Sequence, residues 1–107
     1  MSNPQQFPQT TFAGHEVVDE NGETIGKITD VVYDPISMGE PLWLVVDPGL
    51  LRAEHYVPAP GAYTTDDGKV VVPYDKGWVR SAPKANGDHV ITDDLQMELE
   101  RHYEPAR

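Results

Sequence analysis

The stretch Gly22–Asp34, which reads Gly-Glu-Thr-Ile-Gly-Lys-Ile-Thr-Asp-Val-Val-Tyr-Asp, constrains the fold more than any other part of the chain. It starts in a tight turn and predicts the longest β-strand. Side chains on a strand alternate between its two faces, so Ile28 and Val32 share one face. Val31 and Tyr33 lie on the other. We therefore expect the first half of this strand to meet water on one side and the second half to need cover on both.

The turn before this strand carries Asn21-Gly22, a strong short signal for a β-hairpin. Both central positions of a type I′ turn need a positive φ, which Asn and Gly tolerate. With these two residues at the centre, Val18 faces Ile25. The same register places Glu16 opposite Lys27, so an apolar pair and an opposite-charge pair fall on one face of the hairpin.

Four further segments are predicted as strands, because each is a short apolar run bounded by turn residues. They are His15–Asp19, Leu42–Asp47, His55–Pro58 and Lys69–Pro73. The continuous run in the second of these is typical of a strand buried on both faces, and the proline that ends the third places it at an edge or corner. Ala59–Gly68 is predicted as a loop with a hairpin turn at Asp67-Gly68. Tyr74–Pro83 is predicted as an irregular crossover with at most one helical turn.

The last element predicted is a helix over Asp93–Tyr103. Thr92 is a natural N-cap, and the two aspartates that follow it suit the positive end of a helix dipole. Leu95 and Leu99 start a single apolar stripe, and Pro105 ends the helix. Helices shorter than about 12–15 residues rarely persist alone in water. We therefore expect this helix to pack on the outer face of a barrel that the strands form.

Several short motifs follow one another in a characteristic order and spacing. They are Val17–Asp34, Trp43–Val46, His55–Pro58, Val70–Tyr74 and Val79–Pro83. Together they resemble the PRC-barrel domain family, named for the photosynthetic reaction centre H subunit, over roughly residues 14 to 83. The ending Arg101-His-Tyr103 is similar to the tail of stand-alone bacterial members. The resemblance implies a mainly β fold, a small and strongly bent antiparallel β-barrel with one C-terminal α-helix packed outside.

The resemblance also implies a function as a docking surface. The reaction centre H subunit packs its PRC barrel on the reaction centre, and the ribosome maturation factor uses one in assembly of the small ribosomal subunit. The membrane helix of the first and the preceding domain of the second have no counterpart in this sequence, so we expect neither role to carry over residue by residue. What the two share is a barrel that contacts other macromolecules.

The composition narrows the class of protein. We expect a disordered lead-in at residues 1–12, the PRC-barrel domain at 13–84, and a loop with the closing helix at 85–107. The absence of cysteine excludes disulfides and thiolate sites and fits a reducing cytoplasm. The net charge is −10 and the eight basic residues are scattered, which disfavours direct binding to nucleic acid or anionic membranes. We find no signal peptide and no apolar run near the roughly 20 residues of a membrane span, and we expect a cytoplasmic protein.

The sequence predicts no catalytic residues, no cofactor and no metal. His15 and His55 lie in predicted strands without a ligand partner at metal-binding spacing, and no serine lies in a nucleophile elbow. The densest candidate cation site comprises Asp88, His89, Asp93 and Asp94. Loop solvation and the helix start already explain these residues. The acidic turn at residues 19–23 lacks the alternating ligands of a calcium loop. Cation binding at either place is left open.

We predict a non-enzymatic protein-interaction module that forms a homodimer, binds an unidentified protein partner, or does both. Aromatic side chains are enriched in binding hot spots. The predicted interface residues are Trp43, Tyr56, Trp78 and Tyr103. One alternative is a ribosome- or RNA-processing-associated factor that acts through a basic protein partner. A small metal-dependent enzyme is the least favoured alternative.

Overall fold

The computed structural model describes residues 14–34, 36, 39–49 and 52–104. Six strands form one sheet. They are β1 (Glu16–Asp19), β2 (Thr24–Tyr33), β3 (Pro41–Asp47), β4 (His55–Pro58), β5 (Tyr63–Thr64) and β6 (Val70–Val72). Two helices follow, α1 (Lys76–Arg80) and α2 (Asp93–Tyr103). The lead-in predicted at residues 1–12 lies outside the described residues.

The sheet has the strand order β4-β3-β2-β1-β6-β5, so the long strand β2 lies in its middle. Neighbouring strands pair antiparallel, except for β1 and β6, which run parallel. Within the described residues the hydrogen bonding does not close on itself, and β4 and β5 are the two edges. The mainly β prediction, the organising role of β2 and the edge position of β4 are confirmed.

The first hairpin has the predicted outer register but a different turn. Glu16 pairs with Lys27 as predicted, whereas Val18 pairs with Thr24 because the register shifts after Val17. The type I′ turn is therefore wrong: Gly22 has φ +86°, but Asn21 has no positive φ. The loop between Asp19 and Glu23 has three residues and ends at this glycine, and a bulge in β2 leaves Ile25 as the extra residue between Thr24 and Gly26, which restores the predicted register at Glu16.

The core lies around β3, whose central residues are fully covered, as predicted for a strand buried on both faces. The buried apolar residues that surround it include Val17, Ile25, Ile28, Tyr56, Val57, Val70, Val72, Val79 and Leu99. The second hairpin adds a short edge to this sheet. Tyr63 pairs with Val71 across the turn at Asp67-Gly68. The loop predicted over Ala59–Gly68 thus contains a strand, which is a correction.

Both helices begin at side-chain caps. Asp75 caps α1, a helix of five residues that fits the predicted single turn, and Thr92 caps α2 by accepting the N–H of Leu95 at 3.2 Å. Leu99 and Tyr103 of α2 are buried, so the predicted packing of this helix outside the sheet is confirmed. Among the described residues, no helix is long and apolar enough to cross a membrane.

Candidate functional site

A cluster of aromatic rings joins α2 to the rest of the fold. The ring centroid of Tyr74 lies 4.9 Å from that of Tyr103 and 5.1 Å from that of Trp78, both edge-on. Trp43 lies 6.1 Å from Tyr103. Edge-on pairs at these separations are favourable because the positive edge of one ring meets the negative face of the other. The cluster therefore links β3, α1 and α2.

The indole nitrogens of this cluster extend the contact to α2. Trp43 Nε1 donates to Gln96 Oε1 at 3.1 Å, near the start of α2. Trp78 Nε1 donates to the carbonyl oxygen of His102 at 2.9 Å, near its end. Each buried indole N–H thus has an acceptor, which a tryptophan inside a fold requires. α2 is held at both ends by hydrogen bonds as well as by apolar contact.

The four predicted interface residues differ in exposure. Tyr56 is 0 % exposed, Trp43 4 % and Tyr103 5 %, whereas Trp78 is half-buried. The Tyr103 hydroxyl donates to the backbone oxygen of Tyr56 at 2.6 Å, and burial raises the pKa of Tyr103, which keeps this donor protonated. Their interface role stays a prediction. Trp78 is the one of the four that is not buried.

A cleft of about 220 Å³ opens between the β1–β2 turn and α1. It combines carboxylates, an amide and aromatic rings, and we call it the acidic–aromatic cleft. Its lining residues are Asp19, Glu20, Asn21, Pro73, Tyr74, Asp75 and Trp78. Glu20 and Asp75 are exposed, and both rings are half-buried. The cleft therefore presents negative charge and ring surface to the same solvent space.

Asp19 fixes the turn against α1. Its side chain accepts the backbone N–H groups of Asn21 and Glu23 at 2.9 Å each and that of Lys76 at 3.1 Å, although the residue is only 3 % exposed. Burial alone would raise the pKa of Asp19, but the three backbone donors outweigh it and hold the pKa below its ordinary value. A charged carboxylate thus forms the floor of the cleft.

Asp75 positions the other wall. Its carboxylate accepts the backbone N–H of Trp78 at 2.8 Å. Asp75 is thus the N-cap of α1, and Tyr74 comes immediately before it in the chain. Sequence reasoning identified Trp78 but not its partnership with this aspartate. The signal was present, because aspartate is a preferred N-cap whose side chain accepts a backbone N–H of the first helical turn.

The arrangement suits a positively charged group. Ammonium and guanidinium groups are attracted to the faces of Trp and Tyr rings and hydrogen-bond to carboxylates. In the acidic–aromatic cleft both features lie on one surface, with Glu20 and Asp75 beside Trp78.

A second polar cluster surrounds His89. Its Nδ1 lies 2.8 Å from Asp30 Oδ2 and its Nε2 lies 2.8 Å from Glu54 Oε1. The other oxygen of Glu54 accepts the Thr29 hydroxyl at 2.7 Å. Sequence reasoning grouped His89 with the aspartates near it in the chain. It missed Asp30 and Glu54, because they lie 59 and 35 residues away.

The residues of the densest candidate cation site have separate roles in the structure. His89 turns to the cluster just described, Asp88 accepts the backbone N–H of Val90, and Asp93 and Asp94 lie in the first turn of α2. In the part of the chain that the structure describes, no group of three or more His, Asp or Glu side chains has an arrangement that could hold a metal ion.

Ser81 and His102 lie together beside a shallow depression of about 430 Å³ at the end of α1. His102 Nε2 is 2.8 Å from the carbonyl oxygen of Trp78 and 3.5 Å from Ser81 Oγ. A carbonyl only accepts, so Nε2 carries the proton and cannot take one from the serine. Ser81 itself donates to the same carbonyl at 2.9 Å. This pair lacks the base that activates a serine nucleophile.

The fold and these clusters define a small β-sheet domain sealed by a C-terminal helix, with a polar cleft on its surface. The family model for the PRC-barrel domain matches residues 4–95. The chain therefore belongs to the PRC-barrel domain family, as the sequence resemblance predicted.

A solved structure shares this fold. It is described as a 16S ribosomal RNA processing protein, RimM, from Pseudomonas aeruginosa, and it matches with a TM-score of 0.50 and 19 % sequence identity. The match covers 71 % of this chain and 50 % of that one, so the likeness extends over about half the length of the other protein. Identity at this level supports the shared fold alone. No curated protein matches the chain.

Proposed function

We propose that this chain is a non-enzymatic docking module that binds a basic segment of a partner protein through the acidic–aromatic cleft. The observation that carries the proposal is the position of Glu20 and Asp75 beside the half-exposed ring of Trp78. A lysine or arginine side chain of a partner would lie against the ring and pair with these carboxylates.

The charge of the whole chain supports the same class of partner. A net charge of −10 attracts a basic segment and accelerates its encounter with the cleft. The same charge repels phosphate backbones, which bind proteins mainly through lysine and arginine. A protein partner is therefore favoured over direct contact with nucleic acid.

A charge-reversal pair tests the proposal. Glu20→Lys places a positive charge in the cleft, whereas Glu98→Lys makes the same change at an exposed position of α2 that does not line the cleft. Binding of a ten-residue Arg/Lys peptide is followed by tryptophan fluorescence and by NMR shifts of the Trp78 indole. We expect Glu20→Lys to weaken binding about tenfold and Glu98→Lys about twofold, since close charges act more strongly than distant, screened ones. Equal losses for both variants would mean that the peptide binds by net charge alone and would refute the cleft.

An association with ribosomes is a second proposal, and it uses the same cleft. Ribosomal proteins supply basic segments, and the fold is shared with a protein whose description is ribosomal RNA processing. Co-sedimentation of the chain with small ribosomal subunits, lost in Glu20→Lys and kept in Glu98→Lys, would support it. No co-sedimentation of the native chain would contradict the association, and binding that both variants retain would contradict the use of the cleft.

Self-association and a cytoplasmic setting, both predicted from the sequence, also belong to this proposal. Like-charged copies repel one another, so a homodimer must bury enough apolar surface to overcome a charge of −10 on each chain. Sedimentation velocity over a hundredfold range of protein concentration measures whether the homodimer forms.

A further inference from the structure

The ring of His89 lies between two carboxylates, and this geometry fixes its protonation. Each ring nitrogen is 2.8 Å from a carboxylate oxygen, one of Asp30 and one of Glu54. Ionised carboxylates only accept hydrogen bonds, so both ring nitrogens must donate. A neutral imidazole has a single N–H, and the imidazolium has two. The observed contacts are those of the charged form.

The loop that carries His89 is shaped to present it. His89 has φ +57°, and it is the one residue other than glycine with positive φ among the described residues. The backbone N–H of His89 donates to Asn86 O at 3.1 Å, and the Asn86 side chain donates to Val90 O at 2.8 Å. A left-handed conformation outside glycine is costly and persists where surrounding contacts hold it.

The ring ties this loop to two separate parts of the fold. Asp30 lies on β2, and Glu54 lies just before β4. The nearby backbone bond from Ala85 N to Glu54 O, 2.8 Å long, holds only the start of the loop. Two residues separate His89 from Thr92, the N-cap of α2, and the second of them, Ile91, packs against the core.

We propose that Asp30, His89 and Glu54 form a protonation-dependent latch that holds the start of α2 against the sheet. Loss of one proton turns one of the two hydrogen bonds into a contact between a nitrogen lone pair and a carboxylate oxygen. The loop is then released, the nearby bond from Trp43 to Gln96 loosens, and the buried indole of Trp43 becomes accessible. This regulation goes beyond the proposed docking function, and none of the three latch residues lines the acidic–aromatic cleft.

The surrounding ionisable groups favour the charged ring. The hydrogen bonds to Asp30 and to Glu54 raise the pKa of His89 above its ordinary 6.5, and the partial burial of the ring offsets this only in part. The other ionisable groups near the latch are Asp88 on the same loop and Tyr56, whose pKa is itself raised by burial. The latch is therefore fully formed below pH 6.5 for as long as both carboxylates stay charged, and its contribution to stability is lost as the pH rises through the raised pKa of His89.

NMR of the ring nitrogens tests the protonation directly. We expect His89 to titrate above pH 6.5 in the native chain, and to titrate about one unit lower in Asp30→Asn and in Glu54→Gln, because each removes a negative charge beside the ring. Asp88→Asn is the matched control, since Asp88 accepts the backbone N–H of Val90, whereas the ring bonds to Asp30 and Glu54. Titration at or below pH 6.5 in the native chain, or equal shifts in Asp30→Asn and Asp88→Asn, would overturn the latch.

Hydrogen exchange of the Trp43 indole tests the coupling to α2. After correction for the intrinsic pH dependence of exchange, its protection should fall at least fivefold between pH 6 and pH 8.5 in the native chain. In His89→Gln it should be low at both pH values, and Asp30→Asn reports the same loss if His89→Gln does not fold. Protection that is independent of pH, or equal in the native chain and in these variants, would show that the cluster does not control α2.

Discussion

Gly26 shows how a single missing side chain sets the path of two strands. A Cβ built at this position of β2 would lie 2.7 Å from the carbonyl carbon of Asp47 and 2.9 Å from the Cα of Pro48. Both are backbone atoms, so the end of β3 would have to move. A glycine inside a strand often marks such a close approach of two backbones.

We expect Gly26→Ala to lower the free energy of unfolding by about 2 kcal/mol or more, as overpacking against backbone does. Urea unfolding followed by circular dichroism measures the change. Gly87→Ala is the matched control, because a Cβ there meets nothing within 4 Å and the glycine is not in the left-handed region. It should stay within about 0.5 kcal/mol of the native chain. Equal effects of the two substitutions would contradict the close approach.

At the residue scale, sequence reasoning succeeded where a contact is local and failed where it is distant. Glu16 and Lys27 were paired correctly although the turn was wrong, because the bulge at Ile25 offsets the extra residue in the loop. Val18 was displaced from Ile25 by a bulge, which hydrophobic pattern does not encode. The two carboxylates that bond to His89 were also missed, since the residues close to a histidine in sequence do not indicate which distant carboxylates will contact it.

At the scale of elements, α2 depends on a narrow apolar stripe. Leu99 is 0 % exposed, whereas Met97, two residues earlier on the same helix, is 56 % exposed. The helix has 11 residues, a length that is marginal in water without tertiary packing. Its stability must therefore come from the sheet and the aromatic cluster.

We expect Leu99→Ala to lower the free energy of unfolding by about 2–5 kcal/mol, since it leaves a cavity in a buried site. Met97→Ala deletes a side chain of similar size from the exposed face of the same helix and should change stability by less than about 0.5 kcal/mol. Chemical unfolding of both variants gives the comparison. If Leu99→Ala cost no more than Met97→Ala, α2 would not seal the sheet.

The elements themselves differ in how far the sequence reveals them. α2 has a cap, a dipole-matched charge pattern and a stop, and it was predicted with its observed ends. β5 has two residues, too few to show an alternating pattern, and only its pairing with β6 reveals it. The acidic–aromatic cleft was predictable only in part. Each of its walls has a local sequence signal, but the two walls meet only because β1 pairs in parallel with β6.

At the scale of the whole molecule, the charge of −10 opposes both folding and self-association and favours binding of a basic segment. The effects on folding, on self-association and on peptide binding share one physical cause, the electrostatic field of the excess acidic side chains. Screening lengths fall from about 30 Å at 0.01 M salt to about 8 Å at 0.15 M. Added salt should therefore raise stability and favour self-association, and it should weaken the binding of a basic segment.

We expect the unfolding temperature to rise between 0.01 and 0.15 M NaCl, because screening relieves repulsion among the acidic side chains. The described residues contain few ion pairs that salt could weaken in return, and the Lys76–Glu23 pair is long at 3.9 Å. Over the same range, affinity for a basic peptide should fall, and any dimer seen by sedimentation should strengthen. Peptide affinity that does not change with salt would remove the electrostatic basis of the cleft, since attraction between exposed opposite charges must weaken when they are screened.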